Sequence, residues 1–183
     1  MDGLRGVVVS RGARLWQGAG LACCLGAIVA AGLPRAAMAQ RTEDPLASTP
    51  NADPLELGRR AAALGDDAVL ARLADGTPRT VRLAAVRAAR FLRQPERALA
   101  PLGHVARGRD PDLAPAAALA ILRIVGELDL PTLERRELRA EDFAAARREL
   151  AALADDGRSR ADVRAAARRA ASRLDALLGP AAS

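Results

Sequence analysis

Aromatic residues are almost missing from this chain: it has two Phe, one Trp and no Tyr. A sheet core draws on aromatic and β-branched residues in alternation, and no such run appears beyond the first forty residues. The same scarcity removes the usual platform for stacking nucleic-acid bases. Lysine is absent, so all 28 basic side chains are Arg. Cysteine is confined to Cys23 and Cys24, which leaves the rest of the chain without a disulfide or a thiolate metal site. His104 is the only histidine, too few for a multi-histidine iron site or a His-based catalytic pair with its orienting partners. No glycine-rich phosphate loop and no Gly-x-Ser-x-Gly elbow occurs. Carboxylates do cluster, at Asp66 and Asp67, at Asp110 and Asp112, and at Asp155 and Asp156. They fall at turns ahead of helices, where capping and the helix dipole account for them, and no single loop gathers enough oxygens for calcium. A non-catalytic chain without cofactor or metal is the expectation.

Long apolar runs are scarce as well, and the clearest one lies at the start. Arg5, Arg11 and Arg14 precede an apolar stretch from Gly18 to Leu33, and Ala37-Met38-Ala39 follows. A basic n-region, an apolar h-region and small residues at the −3 and −1 positions make up a secretory signal peptide. The stretch is 16 residues long, shorter than the roughly 20 that cross a bilayer as a helix. Cleavage after Ala39 and an exported product, periplasmic or secreted, are expected, with an uncleaved N-terminal membrane anchor as the alternative. Gly20 stands where a lipobox before Cys23 would carry a large aliphatic residue, and no Arg pair marks a twin-arginine signal. Of the net charge of +6, half belongs to residues 1–39; the rest is too weakly basic to indicate nucleic acid.

What is present is alanine, leucine and a recurring pattern. Val81-Arg82-Leu83-Ala84-Ala85-Val86-Arg87-Ala88 returns as Leu113-Ala114-Pro115-Ala116-Ala117-Ala118-Leu119-Ala120, and again as Val163-Arg164-Ala165-Ala166-Ala167-Arg168-Arg169-Ala170. Recurrence at such intervals is the mark of a repeat architecture. Around the copies, turn residues and apolar periodicity predict helices. Residues 40–53 lack an apolar period and read as a flexible lead-in. Asp53 and Pro54 predict a helix to Leu64, stopped by Gly65. Val69, Leu70 and Leu73 begin the first helix pair, whose second member spans about 79–92 and buries Val81, Ala84, Ala85, Ala88 and Leu92. Arg82, Arg87, Arg90 and Arg93 fall on its wet side. Leu99, Leu102 and Val105 or Ala106 serve the next pair, whose second helix should end near Gly126. Phe143, Leu150 and Leu153, then Val163, Ala166, Ala167, Ala170, Leu174 and Leu177, serve the third. Thr80, Asp112 and Asp162 occupy one motif position and are expected to cap the three motif helices.

The copies stand 32 and then 50 residues apart. The excess fits an insertion at about 127–142, with a short helix from Pro131 and a loop leaving the regular stack. This pattern resembles the HEAT repeat, in particular its short bacterial HEAT-like or PBS-lyase-type form, over roughly residues 66–178; the family motif is an Asp/Pro/Gly turn followed by Val-Arg-x-Ala-Ala-x-x-Ala-Leu, with Ala89 and Ala171 in place of the Leu in the first and third copies. The resemblance implies an all-α fold, a short α-solenoid of about three antiparallel helix pairs behind the signal peptide, with a helical-repeat domain over 54–179 and a tail at 180–183. It also implies a scaffold or adaptor for a protein partner. Ala114 departs from the pattern and should interrupt any ladder of turn Asp to helix Arg. The bilin-lyase, iron-hydroxylase and DNA-glycosylase activities of some family members have no support among these residues. Partner binding is expected at the concave face or the insertion, with Glu134, Arg135, Arg136, Glu137, Arg139, Arg82 and Arg164 as candidate residues. Two alternatives stand beside it: an Arg-rich face that meets lipid headgroups or another polyanion, and a regulatory subunit for an enzyme on another chain.

Overall fold

Asp53 opens the first helix, α1 (Pro54–Leu64), by accepting a hydrogen bond from the Leu55 N–H at 3.4 Å. Pro54 sits in the first turn, where it costs no backbone bond. Gly65, at φ +81°, ends α1 and turns the chain at once into α2 (Asp66–Ala71), a backbone setting that other residues adopt only under strain. This computed structural model describes residues 44–46 and 53–179, which belong to one compact unit, residues 40–183. Elements α3 (Arg79–Ala88, extended by a 3₁₀ turn Ala89–Phe91), α4 (Leu99–Ala106, entered through a 3₁₀ turn Pro95–Ala98) and α5 (Leu113–Glu127) follow. Then come α6 (Leu130–Arg135), α7 (Ala144–Asp155, after a 3₁₀ turn Ala140–Phe143) and α8 (Ala161–Leu178). No strand occurs among the described residues, and the fold is all-α. No described helix is long and apolar enough to cross a membrane. The stretch expected to be a signal peptide with its cleavage point, residues 40–43 and 47–52 of the lead-in, and the tail lie outside the described residues.

The three copies of the motif form α3, α5 and α8, and they share one register. The same backbone bond closes in each: Arg82 N–H to Pro78 at 2.9 Å, Ala114 N–H to Asp110 at 3.2 Å and Arg164 N–H to Arg160 at 3.0 Å. Burial repeats in phase. Val81, Leu113 and Val163 are buried, as are Ala85, Ala117 and Ala167, then Ala88, Ala120 and Ala170, then Leu92, Ile124 and Leu174. Arg87, Leu119 and Arg169 are exposed at one equivalent position. The motif helices are neighbours: α3 packs on α5 and α5 on α8, with α1 against α3. On the other side α4 packs against α5 and α7, and α7 against α8. Leu99, Leu102, Ile121, Leu150, Leu153 and Leu174 fill the core with the alanines. Alanine at the contacts lets these helices approach closely, which a larger side chain would prevent.

Capping differs from the expectation. Thr80 and Asp162 lie inside the first turns of α3 and α8, whose caps are Pro78 and Arg160, both in extended conformation. Asp112 precedes α5 without a side-chain cap. Asp110 accepts from the amides of Asp112 and Leu113 instead, both at 2.9 Å. The extended caps Pro78 and Arg160 lie two residues earlier than Thr80 and Asp162, the positions the sequence suggested, whereas Asp112 stands at the expected cap of α5. Arg82 is also not on the wet side, because its side chain is only 16 % exposed.

Residues 44–46 of the lead-in and the insertion are both tied to the helices around them. Leu46 of the lead-in is fully buried, Asp44 pairs with Arg72 at 2.7 Å, and Arg60 donates to the Pro45 carbonyl at 2.9 Å. One leucine with two charge-assisted anchors fixes a segment that has no apolar period. The insertion is likewise stitched to the helices around it. Asp129 caps α6 through the Thr132 N–H at 2.8 Å, Leu128 and Leu133 are buried, and Arg173 of α8 donates to the Leu128 carbonyl at 3.3 Å.

Candidate protein-binding cleft

The phase that buries Ala88 and Ala120 leaves the residues around them on the outer side of α3 and α5. Arg87 on α3, Arg90 and Phe91 on its 3₁₀ extension, and Ala116, Leu119, Ala120 and Arg123 on α5 meet Pro54 and Leu57 of α1 there. Together they enclose a cleft of about 340 Å³. Gly58 faces Phe91, and a Cβ on it would sit in ordinary contact with the ring at 3.4 Å. Arg90 lies over that ring, its guanidinium carbon 4.4 Å from the centroid, a cation–π contact. Leu119 stands on the rim, 48 % exposed. The floor is apolar, the rim carries three guanidinium groups, and no carboxylate lines it among the described residues.

A second cleft, about 590 Å³, lies at the turns between the first two helix pairs and holds the chain's histidine. Its carboxylates are matched by neighbouring side chains. Asp75 takes hydrogen bonds from His104 Nε2 at 2.9 Å and Arg82 at 2.8 Å, and these two hold its carboxyl below the ordinary range. Arg79 reaches from α3 to Asp110, 2.6 Å away, and also meets Asp112. The Arg79 guanidinium, then the Leu113 and Asp112 amides, hold Asp110 far below the usual carboxylate range. Where Ala114 lacks the motif arginine, Arg79 supplies the charge from the preceding pair. This cleft braces one helix pair against the next. No group of three or more His, Cys, Asp or Glu suited to a metal occurs among the described residues.

The residues singled out from sequence are scattered. Arg82 donates to the Leu73 carbonyl at 3.0 Å besides Asp75, and Arg164 donates to the Ser159 carbonyl, so both tie a motif helix to its own preceding turn. Arg136 pairs with Glu96 at 2.9 Å. Arg135 bonds the Thr132 hydroxyl at 3.1 Å. Glu134, Glu137 and Arg139 do come together, with Leu130 and Leu138, around a shallow groove at Leu177 and Leu178 of α8. Phe91, Leu119 and Arg123 escaped the sequence reading as a site. Their signal is the spacing of four residues on one exposed helical face, Arg87 with Phe91 and Leu119 with Arg123. No family model, curated protein or solved structure matches the chain.

Proposed function

We propose that this chain is a non-catalytic, exported HEAT-like scaffold that binds a protein partner across the outer face of α1, α3 and α5. The reading rests above all on the apolar cleft with Leu119 at its rim, which is the chemistry of a buried side-chain anchor surrounded by a polar border. The common register of α3, α5 and α8 supports the repeat assignment, and the signal-like first 39 residues support export. The insertion, fastened through Arg136 and Arg173, is the secondary surface.

The test is capture from an envelope fraction by the immobilised protein, run beside Leu119→Asp and Glu134→Arg. A partner retained by the wild type and by Glu134→Arg, and lost from Leu119→Asp, is the expected outcome. Identical capture by the wild type and Leu119→Asp would remove the cleft from the reading. The Arg-bearing face also suits a polyanion, and such binding has to weaken steeply as salt is added.

A further inference from the structure

We propose that the α1–α3–α5 cleft takes an acidic peptide segment, with one large apolar side chain on the floor and a neighbouring carboxylate at the arginine rim. The inference rests on the scaffold reading and names the chemistry of the partner. The volume, about 340 Å³, is at the small end for ligand pockets and suits a single bulky side chain. Leu57, Ala116 and Ala120 give it an apolar floor beside the Phe91 ring.

The charge argument comes from the rim itself. Several guanidinium groups elsewhere meet carboxylates within the fold, among them Arg79 with Asp110, Arg97 with Asp67, Arg107 with Glu149 and Arg136 with Glu96. At the cleft no carboxylate is among the described lining residues. Arg90 is over a ring, which attracts the cation without neutralising it. Arg123 is exposed, and among the described residues it forms no ion pair or hydrogen bond. A carboxylate brought by a partner would be met by the planar fork of a guanidinium, the geometry of a bidentate pair. A membrane is the poorer fit, because entering the acyl boundary takes a broad apolar face. Here the floor is recessed between three helices, and Leu119 is the one exposed large aliphatic residue in the lining.

A random peptide library displayed against the purified protein tests this. Expected is enrichment of sequences with Asp or Glu within one helical turn of Leu, Phe or another large apolar residue. A synthetic peptide of the enriched class should lose about tenfold or more in affinity with Arg123→Glu and with Leu119→Asp. Replacing its acidic residues by Lys should restore binding to Arg123→Glu, a charge swap that a folding defect cannot produce. Both substituted positions are exposed, and circular dichroism checks the variants. Enriched peptides without acidic bias, or binding indifferent to both variants, would overturn the inference while leaving the scaffold reading to the envelope capture. Phosphatidylglycerol vesicles that bind through Arg123 and displace the peptide would replace the peptide with a membrane. Self-association abolished by Leu119→Asp would replace it with a second copy of the chain, and either result overturns the proposal.

Discussion

Arg135 and Arg136 are adjacent in the charged run that the sequence marks for a partner, yet their side chains lie in different surroundings. Arg135 is exposed and hydrogen-bonds the Thr132 hydroxyl of its own helix. Arg136 reaches back to the second helix pair and pairs at 2.9 Å with Glu96, whose side chain is 6 % exposed. Removing one member of a buried pair strands the other without water or partner, and that stranding dominates the cost. Because the Arg136 side chain is itself 36 % exposed, solvent moderates the effect. Arg136→Ala should therefore lower unfolding free energy by about 1–3 kcal/mol, whereas Arg135→Ala should stay within about 0.5 kcal/mol of the wild type. Urea denaturation of both variants checks this, and equal midpoints would mean that Glu96 finds another partner. The pair of substitutions Arg136→Ala and Glu96→Gln should cost less than the sum of the two, since the stranded charge is gone.

At the scale of the element, closeness of packing decides what a substitution does. Gly103 on α4 is buried against α7, and a Cβ placed on it would come within 2.9 Å of the Glu149 Cβ. Gly126, near the end of α5, has nothing within 4 Å of the same point. Alanine gains about 0.8–1.0 kcal/mol over glycine in a helix interior, but overpacking costs about 1–3 kcal/mol. Gly126→Ala should stabilise by about 0.5 kcal/mol, and Gly103→Ala should destabilise by up to about 2 kcal/mol. Thermal melts of the two variants should move in opposite directions. The motif helices were legible in the sequence because their inward positions repeat: Val81, Leu113 and Val163 announce one face, and each helix needs that face covered. Recurrence misled in one respect. Arg82 and Arg164 attract notice because they recur, but a residue repeated in equivalent places serves the shared architecture, and both hold their own turns. The cleft lies where the copies differ, with Arg87 and Phe91 on α3 against Leu119 and Arg123 on α5. The seat for Leu46 was illegible for a different reason, since no periodicity accompanies a single buried leucine in a polar segment.

Across the whole molecule, aspartates at the turns either join one helix pair to the next, as Asp75 and Asp110 do, or fasten their own turn. Asp75 is held below the ordinary carboxylate range by His104 and then Arg82, and Asp110 by Arg79 and the amides of Leu113 and Asp112. Asp129 is lowered by the Thr132 hydroxyl and amide, Asp156 by the Arg158 amide and the Ser159 hydroxyl, and Asp162 by Arg160. All five shifts have one sign. In the folded protein these groups keep their charge to lower pH than in the unfolded chain, where an aspartate titrates near about 3.9. Between those values the unfolded state binds more protons, so stability is fully present above the unfolded value and is lost as pH falls through the folded ones. Melting temperature should therefore hold steady from about pH 7 to 5 and fall progressively below about pH 4. Asp110→Asn should melt lower than the wild type at neutral pH and show a shallower decline in acid, because it removes the carboxylate that joins Arg79 to the start of α5. An acid decline as steep in Asp110→Asn as in the wild type would mean that this turn does not couple the first two helix pairs.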